Sequence, residues 1–199
     1  MDFMENTNHI VHPRWLEIII GPMFSGKTTE LLRLHKNYTY IGKKVFVINY
    51  DGDKRYHDTF LSSHDKWMIP CVNVNLLSEI DVNSIIESDV ILVNEGQFFT
   101  DLVKCVLEYV EKYNKIVYVC GLDGDYKRQK FGDILELIPF CDKITKLTSF
   151  CSICKNGKKA IFSHRIVGDE TQILIGTDIY VPLCRDCYIV SSTDRTTHG

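Results

Sequence analysis

Short apolar runs broken by polar turns set the first expectation. Trp15–Ile20, residues 45–49, Val90–Val93 and residues 116–119 are strand-length and rich in branched side chains. Between them the spacing changes. From Lys27 to about Tyr40 the pattern turns helical, with Gly42 as a stop. Residues 80–87 predict a short helix. Residues 100–114 predict a longer one, with Leu102, Val103, Val106, Leu107 and Val110 on one face. Strands alternating with helices predict an α/β fold with a mainly parallel sheet flanked by helices. Residues 50–70 and 121–132 read as loops, the first long enough to suggest a function. Residues 1–14 read as a frayed arm.

Composition narrows the class. The chain has 199 residues, 45% hydrophobic and 25% charged, which fits one moderate domain with a small appendage. The net charge of −3 argues against broad attraction to nucleic acid. No apolar run reaches the length of a signal segment or a bilayer span, so no membrane association and a cytoplasmic location are the expectation. Of the eight cysteines, Cys71, Cys105, Cys120 and Cys141 stand singly and read as buried thiols. Cys151, Cys154, Cys184 and Cys187 form two CxxC pairs, which in a reducing compartment bind metal more often than they form disulfides.

The chemistry begins directly after the first strand. Gly21-Pro22-Met23-Phe24-Ser25-Gly26-Lys27-Thr28 fits G-x-x-x-x-G-K-[ST], with a strand before it and a helix after it. Such a loop curls its N–H groups inward at phosphate, and the helix N-terminus adds positive charge. Lys27 is expected to reach the β/γ-phosphates and the Thr28 hydroxyl to ligate Mg²⁺. After Val93 the first polar residue is the neutral Asn94, and the first carboxylate is Glu95. Two readings of Glu95 stand on local sequence: a strand-end carboxylate facing solvent, or a base that takes a proton from an attacking hydroxyl. Phe98 and Phe99 likewise read as core or as a surface for a flat substrate.

The two cysteine pairs are separated by 29 residues. Four sulfurs suit tetrahedral Zn²⁺, and a closed Cys₄ set leaves no position for substrate, so the ion is expected to be structural. A nucleic-acid-binding ribbon is the rival. Between Cys151 and Cys187 there are five Lys/Arg and four Asp/Glu, a balance that argues against it.

In combination these motifs resemble the thymidine kinases of the cytosolic, zinc-containing type, found in animals, bacteria and large DNA viruses. The likeness runs from about Glu17 to Tyr188. It is carried by the phosphate loop through Thr29-Glu30-Leu31, by Asp53-Lys54-Arg55-Tyr56, His64-Asp65, Glu95-Gly96-Gln97-Phe98-Phe99 and Leu122-Asp123-Gly124, and by the paired cysteines. The resemblance implies ATP with Mg²⁺ as phosphoryl donor, a nucleoside as acceptor and one structural Zn²⁺. Glu95 would be the general base for the nucleoside 5′-hydroxyl. Asp53 and Arg55 would lie near the phosphates, and Asn94 and Gln97 are counted with that set. Phe98, Leu122, Tyr126 and Phe131 would line the nucleoside site. The segment Thr171, Gln172, Ile173, Leu174 and Ile175 would lie across the base, and Tyr180 would close the pocket.

The resemblance also divides the chain into an arm (1–14), a P-loop kinase domain (15–150), a small β-rich zinc-bound lasso (151–190) and a flexible tail (191–199), assembled as a tetramer or dimer. Three residues depart from the family pattern. Asn94 stands where Asp is usual, which predicts weaker Mg²⁺ binding or a lower rate. Ile175 replaces a frequent Gly and crowds the base pocket, and Tyr126 replaces Phe. A P-loop enzyme acting on another substrate and a catalytically weakened relative remain the alternatives.

Overall fold

The fold was taken from a computed structural model, which describes residues 14–52, 60–62, 68–167, 171–172 and 179–196. In chain order the elements are β1 (Trp15–Ile20), α1 (Lys27–Tyr40), β2 (Val45–Tyr50), β3 (Phe60–Ser62), β4 (Met68–Pro70), β5 (Val72–Val74), α2 (Val82–Glu87), β6 (Val90–Val93), α3 (Leu102–Leu107), β7 (Ile116–Gly121), β8 (Lys143–Lys146), β9 (Ser149–Phe150), β10 (Lys159–Ala160), β11 (Phe162–Arg165), β12 (Tyr180–Leu183) and α4 (Arg185–Thr196).

Six strands form one sheet in the order β5-β2-β6-β7-β1-β8, and every pairing in it is parallel. Both faces are covered, so the central strands read as unbroken apolar runs, and β6 and β7 are buried at every position. Side chains still sort by alternation. Leu16, Ile18 and Ile20 of β1 join the core beneath α3, while Ile19 joins Leu31, Leu32 and Leu34 of α1 on the other face.

The structure differs from the sequence expectation at several elements. The helix expected over 100–114 is α-helical only over Leu102–Leu107 and widens into a π-helical turn over Glu108–Lys112. The wider turn keeps Tyr109 and Val110 both buried and brings the Tyr109 hydroxyl to the Leu77 carbonyl at 3.1 Å. The stretch expected as a loop over 50–70 contains the antiparallel pair β3–β4. Both sheet edges, β5 and β8, lie where no strand is expected. Cys105 and Cys120 are buried, but Cys71 and Cys141 are only half-buried. Helix α4 runs to Thr196, past the point where the tail is expected to begin.

Beyond β8 the chain leaves the sheet and forms two antiparallel pairs, β9–β10 and β11–β12. Their own core is small: Cys151, Ala160, Leu183, Cys184 and Tyr188. Among the described residues no helix is long and apolar enough to cross a membrane.

Candidate active site

The phosphate loop joins β1 to α1 and follows from its glycines. At Gly21 (φ 151°) a Cβ would meet the Leu147 carbonyl oxygen at 2.5 Å, so only glycine lets the loop leave the sheet beside residue 147. Gly26 starts α1 in the left-handed region and offers no side-chain cap, which leaves the first-turn N–H groups to a ligand. Lys27 reaches back across the loop and donates to the carbonyls of Gly21 (3.1 Å) and Pro22 (2.8 Å). The Ser25 hydroxyl is buried without a hydrogen-bond partner. A buried orphan hydroxyl beside an ammonium and uncapped amides fits a phosphate oxygen. Phe24 is exposed with φ 61°, and Thr28 is half-buried in the first turn of α1. The Met23 N–H donates to the Ser163 hydroxyl of β11 at 2.9 Å.

Glu95 follows β6. This strand is not the immediate neighbour of β1, because β7 lies between them. Cys120, near the end of β7, connects the two sides. Burial first and the Glu95 charge second push its thiol up to about 12, against the opposing pull of the Lys27 ammonium. Glu95 and Lys27 therefore both act on the Cys120 thiol, one from each side of β7 in the strand order. Glu95 itself is left-handed (φ 54°, ψ 43°), a conformation costing a non-glycine residue roughly 1–3 kcal/mol and concentrated at functional sites.

Gln97 holds the Glu95 carboxylate. It is 3% exposed, donates Nε2 to Glu95 Oε2 at 2.7 Å and accepts the Leu122 N–H on Oε1 at 3.0 Å. Both ends of its amide are thus used by the protein. Gly132 (φ 59°) makes room for this: a Cβ there would sit 2.0 Å from the Gln97 carbonyl oxygen. Asn94 is 2% exposed, donates to Asn49 Oδ1 at 2.8 Å and accepts the Cys120 thiol at 3.3 Å.

The aromatic side of the site gathers around Phe98. Its ring stacks on Tyr50 at 4.9 Å and meets Phe131 edge-on at 5.4 Å. Leu122 is half-buried beside Gln97, and Tyr126 and Phe131 are buried. Tyr180 is half-buried, while Thr171 and Gln172 are exposed with their carbonyls directed at Arg165. Asp53, Arg55, Ile173, Leu174 and Ile175 lie outside the described residues.

The paired cysteines come together. The four sulfurs of Cys151, Cys154, Cys184 and Cys187 lie within 4.8 Å of one another, with Cys154 at 3.6 Å from Cys184 and 3.1 Å from Cys187. Zinc–sulfur bonds of about 2.3 Å set tetrahedral sulfurs about 3.8 Å apart, so this donor set fits the ion.

Four residues absent from the sequence expectation belong to this region: Asn49, Asp125, Ser163 and Arg165. The asparagines carried a legible signal, since Asn49 and Asn94 each follow an apolar strand run. Buried Arg165 had no local signal at all.

The profile of the thymidine kinase family matches residues 14–188. A thymidine kinase of Yaba monkey tumor virus is 45% identical over 175 residues, 87% of this chain and 94% of that protein. One from vaccinia virus (strain Western Reserve) is 43% identical over 178 residues, 88% and 97% of the two chains. One from Oryza sativa subsp. japonica is 39% identical over 184 residues, 89% of this chain and 67% of its own length. With its profile spanning most of the sequence and its members similar along nearly all of it, the family to which this chain belongs is that of the thymidine kinases.

Proposed function

We propose that this protein transfers the γ-phosphoryl group of ATP to the 5′-hydroxyl of thymidine, giving dTMP. Family membership supports the reaction. The observation that carries it at residue level is the Glu95 carboxylate, fixed by Gln97 and acting on the same buried thiol as Lys27. The phosphate loop receives the triphosphate. Lys27 then leaves the Gly21 and Pro22 carbonyls for the β/γ-phosphates, and Ser25 gains an acceptor for its hydroxyl. Glu95 takes the proton of the attacking 5′-hydroxyl, and Gln97 keeps the carboxylate aimed. The Thr28 hydroxyl, with Asn94 nearby, would hold Mg²⁺, which would supply charge neutralisation on the phosphates.

Phe98, Leu122, Tyr126 and Phe131 form the wall of the nucleoside site, residues 171–175 cover the base, and Tyr180 closes the pocket. Asp53 and Arg55 are assigned to the phosphates by the family resemblance alone. Cys151, Cys154, Cys184 and Cys187 would hold one structural Zn²⁺, which would fasten this cover without touching substrate. The lasso is thus a separate unit on the P-loop domain. The protein works in the cytoplasm as a homo-oligomer, dimer or tetramer, and light scattering on the purified protein decides between the two.

The test is one ATP-dependent assay against thymidine, deoxyuridine, deoxycytidine and deoxyguanosine. Thymidine is expected to be turned over fastest. Deoxyuridine follows, because a methyl group in an apolar pocket contributes only about 1–3 kcal/mol. Equal turnover of a purine nucleoside, or ADP formation without any nucleoside, overturns the reading.

A further inference from the structure

We propose that Arg165 is a positioning residue for nucleoside binding, setting the backbone at the start of the base-covering segment with Asp125 as its second anchor. This rests on the reading that residues 171–175 cover the base.

Arg165 ends β11 and is 0% exposed. Burying a guanidinium is costly unless its donors are satisfied. Here Nη1 donates to the Thr171 carbonyl (2.5 Å) and Nη2 to the Gln172 carbonyl (3.0 Å). Nε and Nη2 both donate to the Tyr180 hydroxyl, at 3.1 and 2.6 Å. A flat fork that meets two consecutive carbonyls fixes the direction of that backbone as well as its place. The guanidinium lies 3.9 Å from the centre of the Tyr126 ring. Tyr126 is held in turn through its carbonyl, which accepts the Tyr188 hydroxyl at 2.6 Å from the helix carrying Cys187.

Asp125 supplies an independent hold. It is 7% exposed, and its Oδ1 accepts the N–H groups of Lys127 and Gln129, both at 2.8 Å. Its Oδ2 accepts Gln172 Nε2 at 2.9 Å. The Gln172 side chain is thus engaged by the loop after β7. On the same strand as Arg165, Ser163 accepts the Met23 N–H of the phosphate loop. Strand β11 is therefore a strut, with one residue on the phosphate loop and another on the nucleoside cover.

The test compares Arg165→Met, Arg165→Lys, Asp125→Asn and Gln172→Leu with the unaltered protein. The readouts are KM for thymidine, KM for ATP, zinc content and amide hydrogen exchange at Thr171, Gln172 and Tyr180. Both Arg165 variants are expected to raise the thymidine KM roughly 10- to 100-fold with zinc retained and ATP KM within about twofold, since displacement of about 1 Å can cost 10²-fold. Lysine does not rescue, because one ammonium cannot span both carbonyls and the hydroxyl. Asp125→Asn, which breaks the Asp125–Gln172 hydrogen bond, and Gln172→Leu, which removes that bond and the longer one from Gln172 Nε2 to the Lys130 carbonyl, raise it about threefold to tenfold. Exchange at the three amides quickens in every variant.

A lysine variant that behaves as wild type, or thymidine and ATP KM values rising together, overturns the proposal. If Arg165→Met does not fold, Gln172→Leu at an exposed position decides alone: an unchanged thymidine KM with unchanged exchange overturns the proposal. The exchange readout needs no substrate, so it stands apart from failure of the unaltered protein to phosphorylate thymidine, which would count against the proposed reaction instead.

Discussion

Asn94 and Asn49 share a hydrogen bond across adjacent strand ends, Nδ2 to Oδ1 at 2.8 Å, with Asn94 almost wholly buried. The bond is one link in a line. Asn49 Nδ2 donates onward to Asn73 Oδ1 at 3.0 Å and to the Tyr50 carbonyl at 3.3 Å, and the Cys120 thiol donates to Asn94 from the other side. Every amide in this line points the same way, so the Asn94 oxygen faces Cys120 of β7.

That polarity predicts the cost of placing an aspartate at position 94. Asn94→Asp sets a carboxylate oxygen against Asn49 Oδ1. Turning Asn49 over sets its own oxygen against Asn73 Oδ1 and the Tyr50 carbonyl. Without nucleotide the variant is expected to lose about 1–3 kcal/mol of stability in urea unfolding, the usual cost of unmatched buried polar atoms. With MgATP the added charge acts in its favour, and half-maximal activity is reached at lower Mg²⁺. A Mg²⁺ profile identical to that of the unaltered protein removes position 94 from the metal's surroundings.

Glu95→Gln keeps the size of the side chain and its reach to Gln97 but cannot accept a proton. Loss of a general base typically costs ~10²–10⁴-fold, so kcat is expected to fall by that factor with ATP affinity unchanged. Steady-state kinetics with calorimetric ATP binding check both halves. A variant with wild-type kcat ends the assignment of Glu95 as the base.

The phosphate loop and its flanks were legible because their signal is local. Trp15–Ile20, Lys27–Tyr40 and Val90–Val93 form with the expected bounds: each is one unbroken periodic run ended by glycine or a polar residue. The edge strands were not legible. Lys143-Ile144-Thr145-Lys146 is mostly polar because one side of an edge strand faces water, and it looks like loop. The cysteine pairs announced by spacing alone a four-sulfur cluster able to hold a metal ion. Arg165 could not be found that way, because its partners Tyr126 and Tyr180 lie far from it in sequence and its burial follows only from the fold. Likewise nothing in residues 100–114 announces a π turn, which is set by the demand that Tyr109 and Val110 both face inward.

Removal of the metal should act on the lasso first. Among the described residues its buried core is Cys151, Ala160, Leu183, Cys184 and Tyr188, with Cys154, Phe162, Val181 and Cys187 packed against it, too little to order it alone. The main sheet has its own two cores and does not depend on these residues. Cys184→Ser, or a strong chelator, is expected to abolish zinc retention while leaving most far-ultraviolet circular dichroism intact. The links from Tyr188 to Tyr126 and from Ser163 to Met23 carry the damage to the active site. Activity is therefore lost before the sheet unfolds. Metal analysis, dichroism and activity followed on one chelator titration check the order, and simultaneous loss of sheet and activity contradicts it.

Asp101 predicts a pH dependence that is separate from catalysis. It precedes α3 and accepts the backbone N–H groups of Leu77 (3.1 Å) and Ser78 (2.8 Å), tying the segment before α2 to the chain just after Phe98 and Phe99. Burial alone would raise its pKa. The N–H groups of Ser78 and Leu77, with the Ser78 and Cys105 side chains, outweigh burial and hold it below the usual carboxylate value. A carboxylate with a depressed folded-state pKa stabilises the protein fully above its unfolded value, near 4, and that contribution is lost as pH falls through the folded value. Asp101→Ala is expected to cost about 1–2 kcal/mol at pH 7, as for the loss of a helix cap. Its urea midpoint is expected to lie closer to wild type below pH 4 than at pH 7, because protonation has already weakened the bond in the unaltered protein. A gap between the two proteins that stays constant from pH 7 to pH 3 rules out the ionised Asp101 as the source of that stability.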